Sequence, residues 1–481
     1  MADNKDNSYS HILKYTGILG SVQGLNILVG VLRNKFAALF LGPSGMGLLS
    51  LFNSTVNLIS SATNLGIPTT GVKEISEKFE ESGQQVVDAV HSVRTYSLIS
   101  ATLGMLITIL LGPMLDVSTF SWGNHTLHYI LLAPIVFFTI LAGGETAILK
   151  ATRQLKALAF SSTFLAVFSL LVSVPIYWLW SYKGILAVLF LLAFCQWALS
   201  FRYAVRHYPF HLDFSKSRLL QGLPLIRLGM AFVLAGFLNS GAEFLIRAYL
   251  NNTSDLEYVG LFNAGVTIVI VYAGMVFSVM ESDYYPRLSA IKEKGEKLNL
   301  CVNRQLEMNV LLMGPIILAI MLALPVIIPL LYDSKFMGML QMTQIAALGM
   351  LFKAIYMPIE YLPLARGESR YFLAQESFAV LLLIACQLVG FQWNGLAGLG
   401  AGIVVAYTVE SVVVLAFSRW YYGYSLSAAA WYYISAQVIY APFMLWLVLN
   451  LDYHSWDYWI YGIICLLISL GFSVKRIFEE I

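Results

Sequence analysis

Long apolar runs dominate this sequence and recur from residue 15 to residue 474. A helix needs about 20 mostly apolar residues to cross the hydrocarbon core of a bilayer. About fourteen runs reach that length, whereas the strands of a membrane β-barrel need only about 10 alternating residues. The sequence therefore predicts an all-α polytopic membrane protein with about fourteen transmembrane helices.

Short turns separate several of the predicted spans. Turn-forming residues occupy positions 42–45, 181–184 and 392–395. Glycines between Gly395 and Gly402 fall inside an apolar span, where they indicate close helix packing rather than a nucleotide loop. The predicted spans are 15–41, 43–66, 88–112, 128–148, 157–180, 184–204, 225–250, 259–282, 306–332, 340–364, 371–391, 395–418, 428–449 and 456–474.

The composition excludes several classes of protein. Only 12% of the residues are charged and the net charge is +2, whereas a soluble domain carries about 25% charged residues. We therefore expect neither an ordinary globular enzyme nor a nucleic-acid partner. The four cysteines show no CxxC spacing, so we expect no disulfide framework and no metal site. The glycines at 42–47 lack the lysine of a phosphate-gripping loop, so we expect no ATP hydrolysis and no cofactor.

Basic residues concentrate at alternate ends of the predicted spans. If the N-terminus is cytoplasmic, most of the 29 lysine and arginine residues lie at cytoplasmic ends, and only Lys183 and Lys335 fall in outside loops. Positively charged residues are enriched in cytoplasmic loops. We therefore expect both termini in the cytoplasm.

The two halves of the chain resemble each other. GLLSLFN at 47–53 is echoed by YVGLFN at 258–263, an offset of 210 residues (263 minus 53). Six spans separate the copies, which predicts a parallel repeat around a central cavity; chance similarity between apolar segments is the alternative. The predicted parts are an N-terminal lobe at 1–206, a cytoplasmic linker at 207–224, a C-terminal lobe at 225–420, and accessory spans 13 and 14 with a cytoplasmic tail at 421–481.

Ionisable residues inside the spans are the candidate functional residues, because such groups usually face a partner or a wet cavity. Lys353 lies near the middle of span 10, about 18 Å from either end, too deep for its ammonium to reach the interface easily. Arg33 and Arg247 have simpler explanations, namely snorkelling to the outer interface and an i,i+4 ion pair with Glu243.

Several cations in a cavity of low dielectric attract a multivalent anion such as phosphate. We therefore assign Arg33, Arg247 and Lys353 as cavity cations that bind substrate. Glu243 and Glu360 are the candidate ion-coupling residues. No residue pattern in the sequence predicts a catalytic group.

Three segments resemble the Wzx-type polysaccharide flippases, such as O-antigen and enterobacterial common antigen translocases. They are RNKFAALFLGPSGMGL at 33–48, KATR at 150–153 and LARGESRYFLAQE at 364–376, and a lysine of that family in span 10 matches Lys353. The resemblance covers roughly the first 420 residues. It implies the multidrug/oligosaccharidyl-lipid/polysaccharide superfamily, in which two six-helix lobes close alternately over a central cavity. Fourteen spans resemble the peptidoglycan-precursor flippases, whose extra helix pair supports a groove for the lipid tail.

The resemblance implies a transporter and not an enzyme. Its substrate would be an undecaprenyl-pyrophosphate-linked oligosaccharide, the repeat unit of an O-antigen, capsule or exopolysaccharide, moved to the periplasmic leaflet of a bacterial inner membrane. Membrane lipids and polysaccharide polymerase machinery are the other implied partners.

Two alternatives follow from the residues. A cation-coupled multidrug antiporter of the same superfamily remains open, because the numbers of intramembrane cations and carboxylates are equal. The cations are Arg33, Lys35, Arg247 and Lys353, and the carboxylates are Glu145, Glu243, Glu360 and Glu410. A glycan polymerase or ligase would need outside loops larger than 113–127, the longest found.

Overall fold

A computed structural model describes residues 3–79, 83–121, 123–215, 223–291 and 293–480. Regular structure in these ranges is helical, with no strand. Part of the predicted linker, residues 216–222, lies outside them. The helices are α1 (Asp3–Thr63), α2 (Ile67–Phe79), α3 (Gly83–Thr119), α4 (Thr126–Leu131), α5 (Ala133–Ala151), α6 (Leu155–Trp180), α7 (Ile185–His207), α8 (Leu223–Thr253), α9 (Leu256–Val266), α10 (Met275–Ala290), α11 (Glu296–Leu331), α12 (Leu340–Ala365), α13 (Ser369–Tyr422), α14 (Ala428–Asn450) and α15 (Trp456–Glu480).

Ten helical segments of the described chain are long and apolar enough to cross a membrane. Three of them, residues 24–63, 155–207 and 369–422, contain a break at a predicted turn. Counting each of these three as two crossings gives thirteen, and α8, with 31 residues, makes fourteen. The all-α, multi-pass membrane fold predicted from the sequence is confirmed.

Each break has a local cause in the backbone. Gly42 adopts φ 64° and ψ −177°, a conformation that a side chain would strain, and Pro43 then starts the next helical arm with a preset φ. The break in α13 falls at Asn394 and Gly395, and Gly395 has φ 53°. Between α6 and α7, residues Ser181–Gly184 form a short 3₁₀ turn.

The chain forms two compact units, Met1–Val259 and Gly260–Ile481. In the first unit, the second arm of α1 packs antiparallel to α8 along small residues. The Ser61 and Ser240 hydroxyls lie 3.0 Å apart, and a Cβ atom on Gly66 would collide with the backbone of Gly229. Because the first unit includes α8, it ends one helix beyond the predicted N-terminal lobe at 1–206. The division into repeat-related lobes stays a prediction.

In the second unit, α13 forms a tight helical hairpin. A Cβ atom on Gly398 would overlap the carbonyl oxygen of Gly390, so the two arms touch backbone to backbone near the turn. At the open end the Tyr371 and Phe417 rings lie 5.6 Å apart. The expectation that the glycines of this span serve close packing is confirmed.

Buried polar groups attach the last two helices to the second unit. The Gln437 side chain on α14 accepts a hydrogen bond from Ser469 at 2.9 Å and donates one to Ser473 at 3.1 Å, both on α15. The Tyr458 hydroxyl on α15 donates to the Leu322 carbonyl of α11 at 3.0 Å. The outward faces of α14 and α15 carry exposed apolar side chains, such as Phe443 on α14, as expected for helices that contact lipid.

Candidate functional site

The first candidate site is a cluster around Lys353 in the second unit. The ammonium of Lys353, on α12, lies 5.9 Å from the centroid of the Tyr407 ring on the second arm of α13. Within the described part of the chain, Lys353 makes no hydrogen bond and no ion pair. The side chain is partly buried, so its charge is held against an aromatic face rather than against a carboxylate.

A buried carboxylate stands close to this cation. Glu410, on the same arm of α13 as Tyr407, is only 5% exposed. The hydroxyl of the buried Tyr356 lies beside its carboxylate, and Lys353 acts on it electrostatically. Glu360, two turns after Lys353 on α12, adds its own charge to the field at Tyr356 and Tyr407.

The cluster therefore joins one cation, two tyrosines and two carboxylates from α12 and α13. An ammonium that only an aromatic face supports within the protein keeps donors available for an anion from solution. The nearby carboxylates lower the net charge of the empty site. This arrangement suits an anionic group that must bind and later leave.

The second candidate site is the Arg247 ion pair in the first unit. Arg247 is 9% exposed, and its Nε donates to the Ser50 hydroxyl of α1 at 2.7 Å. Its Nη1 donates to the Glu243 carbonyl at 3.0 Å and lies 3.3 Å from Oε2 of the Glu243 carboxylate. The structure thus contains the i,i+4 ion pair between Arg247 and Glu243 that was the simpler explanation of Arg247. A substrate-binding role for Arg247 and a coupling role for Glu243 stay predictions.

Arg33 occupies a separate position in the first unit. It lies on the first arm of α1, partly buried, with Nη2 3.4 Å from Oδ1 of Asn34. Its charge also acts on the buried Tyr177 hydroxyl of α6. That Arg33 and Arg247 share one cavity with Lys353 stays a prediction.

One buried ion pair escaped the sequence analysis. Arg94 on α3 and Glu145 on α5 form a two-pronged contact, with Nε to Oε1 at 2.9 Å and Nη2 to Oε2 at 3.2 Å. Their side chains are 2% and 6% exposed. Arg94 Nη1 also donates to the carbonyls of Tyr208 and Pro209 after α7. The signal that could have found it is Glu145 itself, since a buried carboxylate in a span requires a cation.

A cavity of about 580 Å³ lies in the second unit, between the start of α11 and the loop before α14. Its polar groups bond mainly to one another. Asn303 Oδ1 accepts from the Tyr424 hydroxyl at 2.8 Å and from the Ser427 amide at 3.2 Å, and the Ser427 hydroxyl donates to Glu307 at 2.5 Å. These bonds fasten the loop to α11.

Comparison with protein families identifies one match over more than half of the chain. The family model described as a polysaccharide biosynthesis protein matches residues 12–292. None of the curated proteins compared with this sequence matches it.

Solved structures show the same fold at low sequence identity. The lipid II flippase MurJ, in an inward closed conformation, has a TM-score of 0.71 at 12% identity and covers 96% of this chain and 99% of its own. An inward-facing multidrug resistance MATE transporter of the MOP superfamily has a TM-score of 0.63 at 15% identity, covering 86% of this chain and 96% of its own. A MOP superfamily transporter from Pyrococcus furiosus has a TM-score of 0.56 at 15% identity, covering 88% and 96%.

Proposed function

Because this chain belongs to the family of polysaccharide biosynthesis proteins, we propose that it is a flippase for an undecaprenyl-pyrophosphate-linked oligosaccharide. It would act in a bacterial inner membrane and move this lipid from the cytoplasmic to the periplasmic leaflet by alternating access. The observation that carries the proposal is Lys353, a cation within a span whose ammonium lies near the Tyr407 ring and has no hydrogen bond or ion pair among the described residues. A membrane protein that keeps such a charge usually has a ligand or a pathway for it.

The proposed substrate matches this chemistry at both ends. Its pyrophosphate carries negative charge for Lys353, Arg33 and Arg247, while its prenyl tail stays in lipid between the lobes at 1–206 and 225–420. Lysine offers a point charge rather than the rigid fork of arginine, which favours release after transport. Glu243 and Glu360 are the proposed ion-coupling residues, and polymerase machinery would take up the exported glycan.

The fold likeness to a lipid II flippase supports the proposal, because that protein also handles a lipid-linked substrate. Its match covers 96% of this chain, which leaves fewer residues unmatched than α14 and α15 together contain. The proposed role of these two helices is to support the prenyl tail.

A multidrug antiporter is the second candidate, favoured by the fold likeness to multidrug transporters. Such a protein would use intramembrane carboxylates to bind cationic drugs, and Glu243, with its side chain 56% exposed, is accessible enough to do so. The two candidates differ in the sign of the charge they carry.

Deleting the gene in its own bacterium separates the two candidates. The flippase proposal predicts loss of a surface glycan, accumulation of its lipid-linked precursor, and rescue of both by a plasmid copy. Increased sensitivity to cationic drugs with normal surface glycan would instead identify a drug antiporter. Normal glycan and normal drug sensitivity would contradict both.

A further inference from the structure

We propose that Glu410 takes up a proton when an anionic headgroup binds Lys353, so that ligand and proton enter the site together. The inference rests on the proposed flippase function and deepens it. It names a residue that changes protonation during transport, one distinct from Glu243 and Glu360.

The first argument is the burial of the carboxylate. Glu410 is 5% exposed, and its neighbours Tyr356 and Tyr407 are 4% and 7% exposed. Within the described part of the chain, no cation contacts it at ion-pair distance. An ionised carboxylate removed from water costs several kcal/mol unless an opposite charge compensates. The charged form of Glu410 therefore depends on the Tyr356 hydroxyl beside it and on a cation that acts from a distance.

The second argument is the identity of the groups around it. Among the described residues, the groups that act on this cluster include one cation, and the rest are tyrosines or further carboxylates. They are Lys353, Tyr356 and Glu360 on α12, Glu376 on the first arm of α13, and Tyr407 on the same arm as Glu410. The Tyr356 hydroxyl and Lys353 both favour the ionised form of Glu410. Because opposite charges favour ionisation and like charges disfavour it, Lys353 is the one of these two whose effect a bound anion would cancel.

Anion binding changes this balance. A phosphate at Lys353 neutralises the ammonium and places further negative charge near Glu410, so the carboxylate takes one proton from water and becomes a carboxylic acid. Thermodynamic linkage is reciprocal, so protonation of Glu410 also strengthens anion binding. The neutral carboxyl no longer competes with the anion for the positive charge of Lys353. Binding then weakens as the pH rises through the titration of Glu410.

The test is infrared difference spectroscopy on the purified full chain in lipid nanodiscs. The carbonyl band of protonated Glu410 is the one that disappears in Glu410→Gln. At one fixed neutral pH, Lys353→Met should raise the ratio of protonated to ionised Glu410 by about tenfold or more. The reason is that a nearby opposite charge changes the pH at which a carboxyl titrates by about one to three units. Lys353→Arg, which keeps the charge, should match the parent.

Inorganic pyrophosphate then serves as the anionic probe. Its addition should increase the Glu410 band in the parent and leave Lys353→Met unchanged. In Glu410→Gln, its affinity should no longer fall as the pH rises. Glu307→Gln is the matched control, because Glu307 is a buried carboxylate of the same unit that bonds to Ser427 away from this cluster; it should behave as the parent.

Two results would overturn the inference. An equal Glu410 band in Lys353→Met and the parent would show that Lys353 does not control the carboxylate. A pyrophosphate-insensitive band in the parent would show that anion binding is not linked to it. Either result leaves the flippase proposal standing, because that proposal is decided by glycan export.

Discussion

Charged side chains inside a membrane protein are costly, and this chain handles them in two contrasting ways. Arg94 and Glu145 satisfy each other directly, in a pair whose side chains are almost fully buried. Within the described residues, Lys353 has an aromatic ring near its ammonium and a carboxylate at a distance, with no hydrogen bond or ion pair. The first arrangement stabilises the fold, whereas the second leaves a cation that can respond to a ligand.

The sequence analysis selected Lys353 as a candidate but did not predict its surroundings. Depth along a helix follows from counting residues, so the conclusion that snorkelling is difficult required no structure. Tyr407 and Glu410 lie 54 and 57 residues further along the chain (407 and 410 minus 353). Their approach depends on how the α13 hairpin packs against α12, which no local pattern specifies.

Substitutions at Lys353 should follow the sign of the charge. Lys353→Glu should abolish glycan export while insertion and expression stay near normal, because it repels the pyrophosphate. Lys353→Arg should retain a substantial part of the activity, and Lys353→Ala should fall between them. Surface glycan in a strain lacking the chromosomal gene is the measurement. Export by Lys353→Glu equal to that of the parent would make Lys353 a structural charge.

Breaking the Arg94–Glu145 pair should destabilise the first unit by about 3–5 kcal/mol, because either single substitution leaves a buried charge unpaired. Arg94→Met and Glu145→Met should each lower the unfolding temperature of the purified protein strongly, and the double substitution should recover much of the loss. The exposed pair Lys73–Glu77, at 59% and 65% exposure, is the control and should contribute little. Equal small effects at both pairs would contradict the structural role of Arg94.

At the scale of elements, turn positions were predictable because their causes are local. Several turn-forming residues in succession favour a break in a helix, and residues 42–45, 181–184 and 392–395 mark breaks in both sequence and structure. The packing of α8 against α1 was not predictable. It depends on small residues, such as Ser61 and Gly236, that lie far apart in sequence.

The α13 hairpin should tolerate no side chain at its crossing point. Gly398→Leu should prevent the two arms from closing, because even a Cβ atom there overlaps the Gly390 backbone. We expect loss of folded protein, measured as monodisperse yield after detergent extraction. Gly471→Leu on α15, where a Cβ atom meets nothing within 4 Å, is the matched control and should leave the yield unchanged. Normal yield of Gly398→Leu would show that the hairpin is looser than described.

At the scale of the whole molecule, the distribution of lysine and arginine predicts the orientation of the chain in the membrane. In a variant without its four native cysteines, single cysteines at Lys183 and Lys335 should react with a membrane-impermeant reagent in intact cells. A cysteine at Lys294 should react only after the membrane is opened. Labelling of position 294 from outside would reverse the predicted orientation and both termini with it.

The central claim is that this chain alone moves a lipid-linked oligosaccharide across a bilayer. The direct measurement reconstitutes purified protein in vesicles with that lipid, without ATP, and follows its exposure to an impermeant lectin. We predict that the lectin-accessible fraction of the lipid rises when the parent protein is present, both with and without an imposed ion gradient. The gradient sets how far the fraction rises. With Lys353→Glu, the fraction should stay at the level of protein-free vesicles. No rise with the parent, or a rise only when ATP is supplied, would contradict the account.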